Sequence, residues 1–247
     1  MKKLHESTRR EWLGLFAAVG TSGIFAGAPG GTGGAASPVP AVDHLLLGIG
    51  DLDSGIAWVE KATGVKAVIG GSHPGVGTRN ALLSLGGRRY LEILAPDPAQ
   101  SAFNFRIDVR ALALPRLITW AAAANDIDAV AKQARAAGFE VFGPQAGSRA
   151  RPDGKVLKWR TLGVRNDLAG AGIDPIPFFI QWESDSAHPS QDSPKGSELT
   201  AFGVEHPKPA AVNDVLGKLG IEAAVKAGER VALWATLRTP NGDVKLT

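Results

Sequence analysis

The chain has no cysteine, one methionine and one tyrosine among 247 residues, and only 6% of it is aromatic. Without cysteine there is no disulfide, no zinc–thiolate site and no cysteine nucleophile. An excess of one charge is lacking too. The formal net charge is +3, and Lys2, Lys3, Arg9 and Arg10, set against Glu6 and Glu11, supply most of it. The rest of the chain holds 23 basic and 22 acidic residues. No nucleic-acid footprint survives in that balance. The sequence also lacks a Walker-type phosphate loop, a Gly-x-Ser-x-Gly elbow and a His-Glu-x-x-His helix, which removes the chemistries those motifs carry. Gly70-Gly71-Ser72 with Gly75 and Gly77 imitates a dinucleotide loop, but no helix pattern follows it.

Long apolar runs are missing as well. The uncharged stretch Trp12–Phe25 is rich in Ala and Gly, and it is shorter and less apolar than the ~20 residues a membrane-spanning helix needs. It follows a basic start and precedes a Gly/Ala/Pro run to Pro38. That order is the order of a signal peptide, and the pair Arg9-Arg10 resembles a twin-arginine export signal. Residues 1–36 are therefore expected to be a signal peptide with Gly34-Ala35-Ala36 suited to cleavage, and 37–41 a linker. The mature protein is expected to be exported, periplasmic or secreted, with no stable membrane span. A plain tail or a retained anchor is the alternative.

What is present is ordinary globular material, 44% hydrophobic with 31 glycines. Val42–Ile49 reads as a buried strand, Asp51–Ser54 caps a helix over 54–63 that Gly64 ends, and Val65–Ile69 is a strand. A glycine-rich loop spans 70–78, and Arg79–Leu85 pairs with Tyr90–Ala95 as a hairpin. The order then recurs. Leu117–Ala124 is a strand, Asp126 and Asp128 open a helix to about Ala137, and Gly138-Phe139-Glu140-Val141 matches Gly64-Val65-Lys66-Ala67. After a polar loop at 143–154, Lys155–Gly163 and Pro177–Glu183 supply strands. A third, partial copy begins near Thr200, with a helix near Ala210–Leu219 and strands Arg230–Arg238 and Asp243–Leu246. The expectation is an α+β fold of repeated βαβββ modules at 42–110 and 111–198, followed by a partial βαββ module at 199–247.

A repeated βαβββ unit with His on its first strand and Glu on its last resembles the vicinal-oxygen-chelate superfamily. Its glyoxalase-like subgroup is resembled by Asp43-His44-Leu45-Leu46-Leu47-Gly48, by His73–Ala81 and by Tyr90–Asp97. Arg151-Pro152-Asp153-Gly154 with Trp159-Arg160, Phe178–Glu183 and His188-Pro189-Ser190 carry the likeness further, over residues 42–247. The resemblance implies a cup-shaped mixed sheet with helices outside, and metal ligands on the first and fourth strand of each module. His44 and Glu92 fill those places in the first module, and a histidine with a carboxylate suits Zn, Ni, Fe or Mn. In the second module the first-strand position is Thr119, a poor ligand. Gln181 and Glu183 are the last-strand candidates, with Gln181 completing a metal set of His44, Glu92 and Gln181.

Glu92 in an apolar strand needs a metal, an arginine or a shifted pKa. Glu92 and Glu183 are the candidate catalytic bases, and His73, Arg79, Asn80, Arg151, Arg160 and Trp182 the candidate substrate contacts. Lys158 and Arg160 share a strand face and could grip a carboxylate or phosphate; Arg149 and Lys155 read as a solvated basic loop. His44 as a buried strand histidine, His73 as an exposed loop residue, and Trp159 and Trp182 as core are the bland alternatives. His188 and His206 read as turn residues. Two functions stay open: a small, oxygen-rich, even anionic molecule bound in the cup with metal-dependent lyase, isomerase or dioxygenase chemistry, or a metal-free protein that binds or sequesters such a molecule. Monomer and homodimer are both left open.

Overall fold

A computed structural model describes residues 42–151 and 153–247; the signal and linker expected at 1–41 lie outside them. The first module runs β1 (Val42–Gly48), α1 (Leu52–Thr63), β2 (Val68–His73), β3 (Thr78–Ser84) and β4 (Tyr90–Pro96). The second runs β5 (Arg116–Ala123), α2 (Ile127–Ala136), β6 (Val141–Ala150), β7 (Val156–Val164) and β8 (Phe178–Trp182). Together they form one mixed sheet in the order β2-β3-β4-β1-β5-β8-β7-β6. In each module the first strand lies parallel to the fourth, and β1 meets β5 antiparallel at the centre.

Local chemistry sets the helices. Asp51 accepts a hydrogen bond from the Ser54 N–H at 2.8 Å, which caps α1, and Gly64 closes it with φ 75°. Leu52, Ile56 and Val59 fall on one face and bury against the sheet. Asp126 caps α2 in the same way, through the N–H groups of Asp128 and Ala129. Each cap contributes about 1 kcal/mol. The helix side of the sheet holds the main core, built from the alternate residues Leu45, Leu47, Leu83, Leu91, Ile93, Trp120 and Phe179. Their strand neighbours His44, Leu46, Asn80, Glu92, Thr119 and Phe178 therefore face the concave side.

Two stretches expected as loops are strands. Gly70–His73 belongs to β2 and the polar run 143–150 to β6, the two edges of the sheet. The sheet curls until these edges approach, and Gly71 sits where a Cβ would stand 2.8 Å from the Ala150 carbonyl oxygen. Edge strands half in solvent need no apolar alternation, so their composition read as loop.

The last unit also departs from expectation. β9 (Glu198–His206), α4 (Pro209–Lys218), β10 (Ala224–Ala227), β11 (Ala232–Thr239) and β12 (Gly242–Leu246) form a separate sheet ordered β10-β9-β11-β12. Its first strand lies between its second and third, so it has four strands and a different pairing. This sheet shares the main core; Phe202 meets Trp120 edge-on at 5.0 Å.

Candidate functional site in the cup

The parallel pairing of β1 with β4 places His44 opposite Tyr90 and Leu46 opposite Glu92. Pairing of β3 with β4 puts Leu82 opposite Glu92 and Asn80 opposite Leu94. Glu92 is 6% exposed, and Asn80 Nδ2 donates to its Oε1 at 2.7 Å. His44 Nε2 stands 3.4 Å from Glu92 Oε2, and His73 Nε2 stands 3.6 Å from Oε1. One buried carboxylate thus faces two imidazoles, one on each oxygen.

Each imidazole is held from behind. Asp43 lies beside a register shift in the β1–β5 pairing, and its Oδ1 is 2.8 Å from His44 Nδ1. Burial disfavours the charge on Asp43, but hydrogen bonds with His188 and His44 outweigh it and hold its carboxyl at about 2. An ionised Asp43 only accepts, so the Nδ1 proton sits on His44 and donates to it. His73 Nδ1 lies 2.9 Å from Thr78 Oγ1, and its Nε2 lies 3.3 Å from Asn80 Nδ2. Burial lowers the His73 pKa, against the nearby Glu92 charge that raises it. A neutral His73 can accept from Asn80 Nδ2 at Nε2 while its Nδ1–H donates to Thr78 Oγ1. Tyr90 stacks on His44 with ring centres 4.5 Å apart.

Asp43 also ties the site to the second module. Its Oδ2 accepts from Trp182 Nε1 and lies 3.1 Å from His188 Nε2. His188, fully buried, belongs to the segment that carries α3 (Pro189–Asp192) across one end of the cup. It is more than a turn residue. The other end is closed by the β4–β5 connection, whose Ile107 and Val109 pack on Leu46, Leu94 and Ile118.

The remaining candidates are elsewhere. Gln181 does not reach His44 or Glu92: it alternates with Trp182, and its Oε1 accepts from the Ile127 N–H at the start of α2. Arg160, opposite Gln181, forms a two-bond pair with Asp128 on α2. Glu183 is exposed beyond the end of β8, so it serves no base role in the cup. Arg79 alternates with Asn80 and turns away from the cup. Arg151 sits at its rim, paired with Asp192 and Asp153. His44, Glu92, His73 and Asn80 are the residues brought together, with Trp182 joined through Asp43.

The register also identifies what faces them from the second module. Ala121 lies opposite both His44 and Phe178, and Thr119 opposite Leu46. By the pseudo-twofold relation of the modules, Phe178 occupies the place of Glu92 and Thr119 that of His44. Thr119 Oγ1 accepts from Arg106 Nη2 at 3.3 Å, and Arg106 is ion-paired with the buried Asp174. The second module therefore offers a phenyl ring and a capped hydroxyl. Sequence spacing counted back from the helix found Thr119; it could not find Phe178, because the last strand has no such landmark.

Sequence reasoning also missed Arg149. It is 4% exposed and has no ion-pair partner among the described residues, where its Nη1 is without any hydrogen-bond partner. Burial lowers its pKa, against the charge of Glu92. A cleft of about 170 Å³ at the seam between β2 and β6 reaches it, past Val68, Leu82 and Leu157. A larger cavity of about 460 Å³ opens at the strand ends beside Asp43, Arg89 and Trp182.

A model of the glyoxalase-like domain matches residues 42–220. The chain belongs to the glyoxalase-like domain family. Among curated proteins nothing matches it. A crystal structure of a hypothetical protein from Staphylococcus aureus is 20% identical over 84% of each chain, with a TM-score of 0.59, and shares the fold. Methylmalonyl-CoA epimerase from Mycobacterium tuberculosis is 21% identical over 60% of this chain and 91% of its own, with a TM-score of 0.39. A variant of the Streptomyces coelicolor methylmalonyl-CoA epimerase, in complex with 2-nitronate-propionyl-CoA, is 21% identical over 60% of this chain and 97% of its own, at 0.42. The curled mixed sheet with helices outside is the vicinal-oxygen-chelate architecture.

No group of three or more His, Asp or Glu side chains among the described residues is closed up as a metal cage. In donor chemistry, His44, Glu92 and His73 come nearest. Two atoms bound to one ion at about 2.1 Å in tetrahedral array stand about 3.4 Å apart, and the two His–Glu separations are 3.4 and 3.6 Å. The backing of His44 by Asp43 is the outer-shell pattern that orients a metal-ligating imidazole. All three of these side chains come from the first module, and the two separations involve different oxygens of Glu92.

Proposed function

We propose that this protein binds a small oxygen-rich molecule in the cup beside Glu92, with a divalent cation held by His44, Glu92 and His73. One observation carries the reading: a single buried carboxylate faces the Nε2 atoms of two imidazoles, each oriented by a bond at its other nitrogen. With Nδ1 turned to Asp43, His44 Nε2 is the atom left to face Glu92 and to reach a cation between them. Such an ion, when bound, supplies Lewis-acid polarisation of a substrate oxygen; the residues themselves orient it, and the plugs at both ends of the cup keep bulk water away. The donor set suits zinc, nickel, iron or manganese, and the lyase, isomerase or dioxygenase outcome follows from the substrate bound.

Cobalt(II) titration of chelator-stripped protein, read by visible absorption, tests the reading. One equivalent should bind to the parent and none to His44→Ala or His73→Ala. Unchanged binding in both variants would refute the ligand set. The absence of ligands at Thr119 and Phe178 supports a second reading, a metal-free binding or sequestering protein on the same cup. In that case the parent takes up no cobalt but still binds small molecules. For residues 1–36 we keep the reading of a twin-arginine signal with export to the periplasm or beyond. Changing Arg9 and Arg10 together to Lys should hold the protein in the cytoplasm, and equal export of variant and parent would end that reading.

A further inference from the structure

Arg149 is the buried charge for which nothing described so far accounts. A guanidinium removed from water needs an anion or a set of acceptors, since the desolvation is otherwise unrecovered. Arg149 has no ion pair among the described residues, and its Nη1 is unpartnered. A second orphan stands beside it. Asn80 is 2% exposed, its Nδ2 is committed to Glu92, and its Oδ1 has no partner. A Cβ on Gly70 would stand 2.3 Å from Asn80 Oδ1 and 3.0 Å from Arg149 Nη1. Only glycine fits at 70, because both orphan atoms lie against it, and Gly70 and Arg149 line the cleft of about 170 Å³ beside them.

We infer that Arg149 receives the carboxylate of the ligand and Asn80 Oδ1 accepts from a hydroxyl on the same molecule, so that the cup selects small hydroxycarboxylates. The donor–acceptor pairing decides the class. Arg149 offers only N–H groups and matches an oxyanion, whereas Asn80 Oδ1 can only accept and requires an O–H or N–H. A neutral diester or a simple ketone could accept from Arg149 but would leave its charge unmatched and Asn80 Oδ1 without a donor. Arg151 at the rim is already paired with Asp192 and Asp153, so it does not compete for the anion. Substrate recognition then passes from the arginines of β7 and the rim to one on β6, whose side chain the curl of the sheet carries over Gly70 and Gly71. This inference rests on the cup being the binding site but not on a cation within it.

The test uses the full-length chain stripped of metal with a chelator, with glycolate as probe and its neutral analogue glycolamide as control, followed by ligand-observed NMR. The parent should bind glycolate at least about tenfold more tightly than glycolamide, the scale of one charge-assisted hydrogen bond. Arg149→Gln should lose that preference, and Arg149→Lys should keep part of it. If Arg149→Gln fails to fold, the parent's discrimination and its retention by Arg149→Lys still decide the matter. A parent that binds both probes equally, or neither, overturns the inference. So does an Arg149→Gln protein that keeps the glycolate preference, because Arg149 would then be a structural countercharge to Glu92. Glycolate selection without cobalt uptake would sink the cation and leave this inference standing; cobalt uptake without glycolate selection would do the reverse.

Discussion

The two halves of the eight-stranded sheet share one backbone plan and differ in what they place on its concave side. At matching positions the first module carries His44 and Glu92, the second Thr119 and Phe178. Around the first pair the neighbours are polar and incompletely satisfied: His73, Asn80 and Arg149. Around the second they are finished structure, with Phe178, Leu46, Leu94, Ile107 and Val109 in an apolar cluster and Arg106 bonded to Thr119 and Asp174. A fold that repeats an element need not repeat its chemistry. One copy here carries the ionisable groups, and the other is packed as a wall.

The largest expected effect breaks that wall. Phe178→Glu, which writes the first module's residue into the second, puts a carboxylate at a half-buried position against an apolar cluster, where the present ring meets His44 edge-on at 5.6 Å. It should cost about 2–3 kcal/mol in denaturant unfolding; a loss below about 1 kcal/mol would show that the second corner is already polar and wet. Next comes Arg106→Ala, which takes a charged partner from Asp174 while Asn166 and the Ile176 N–H stay bonded to it. Because Arg106 is about half exposed, the expected cost is about 1–2 kcal/mol.

A pH experiment sharpens the other side of the comparison. Burial lowers the His73 pKa in the folded protein, so below the ordinary histidine value the unfolded chain takes up a proton that the folded site resists. The stability is complete above about pH 6.5 and falls as the pH drops through that value, with a slope of at most about 1.4 kcal/mol per pH unit from this one group. In chelator-treated protein His73→Gln should flatten that part of the profile. An identical slope in the variant would mean that His73 is solvated in solution. The smallest expected effect belongs to Glu92→Gln. Asn80 keeps an acceptor there, so the change in unfolding free energy should stay within about 1 kcal/mol; a loss as large as that from Phe178→Glu would make Glu92 a structural residue.

The sequence made the modules legible because helix caps recur: Asp51 and Asp126, each with its helix closed at a turn, give landmarks that survive divergence. His44, Glu92, His73 and Asn80 could be named from the same reading, since a charged or imidazole side chain within an apolar strand stands out. The edges were hidden. β2 and β6 carry glycine and polar residues because they face each other across a seam, and that meeting is a tertiary event with no local signal. Arg149 was hidden with them: in a loop it would be solvated, whereas in β6 it is turned into the cup. Gln181 and Glu183 were misplaced because the end of β8 was anchored to its last residues rather than to Phe178, where the pairing with β5 begins.

The asymmetry itself is tested most directly by the metal content of full-length protein folded in the cell and purified without chelator, for the parent, His44→Ala and Thr119→Ala. The account predicts about one divalent ion per chain in the parent and in Thr119→Ala, and none in His44→Ala. Loss of the ion in Thr119→Ala, or its retention in His44→Ala, would contradict the claim that the first module alone carries the chemistry.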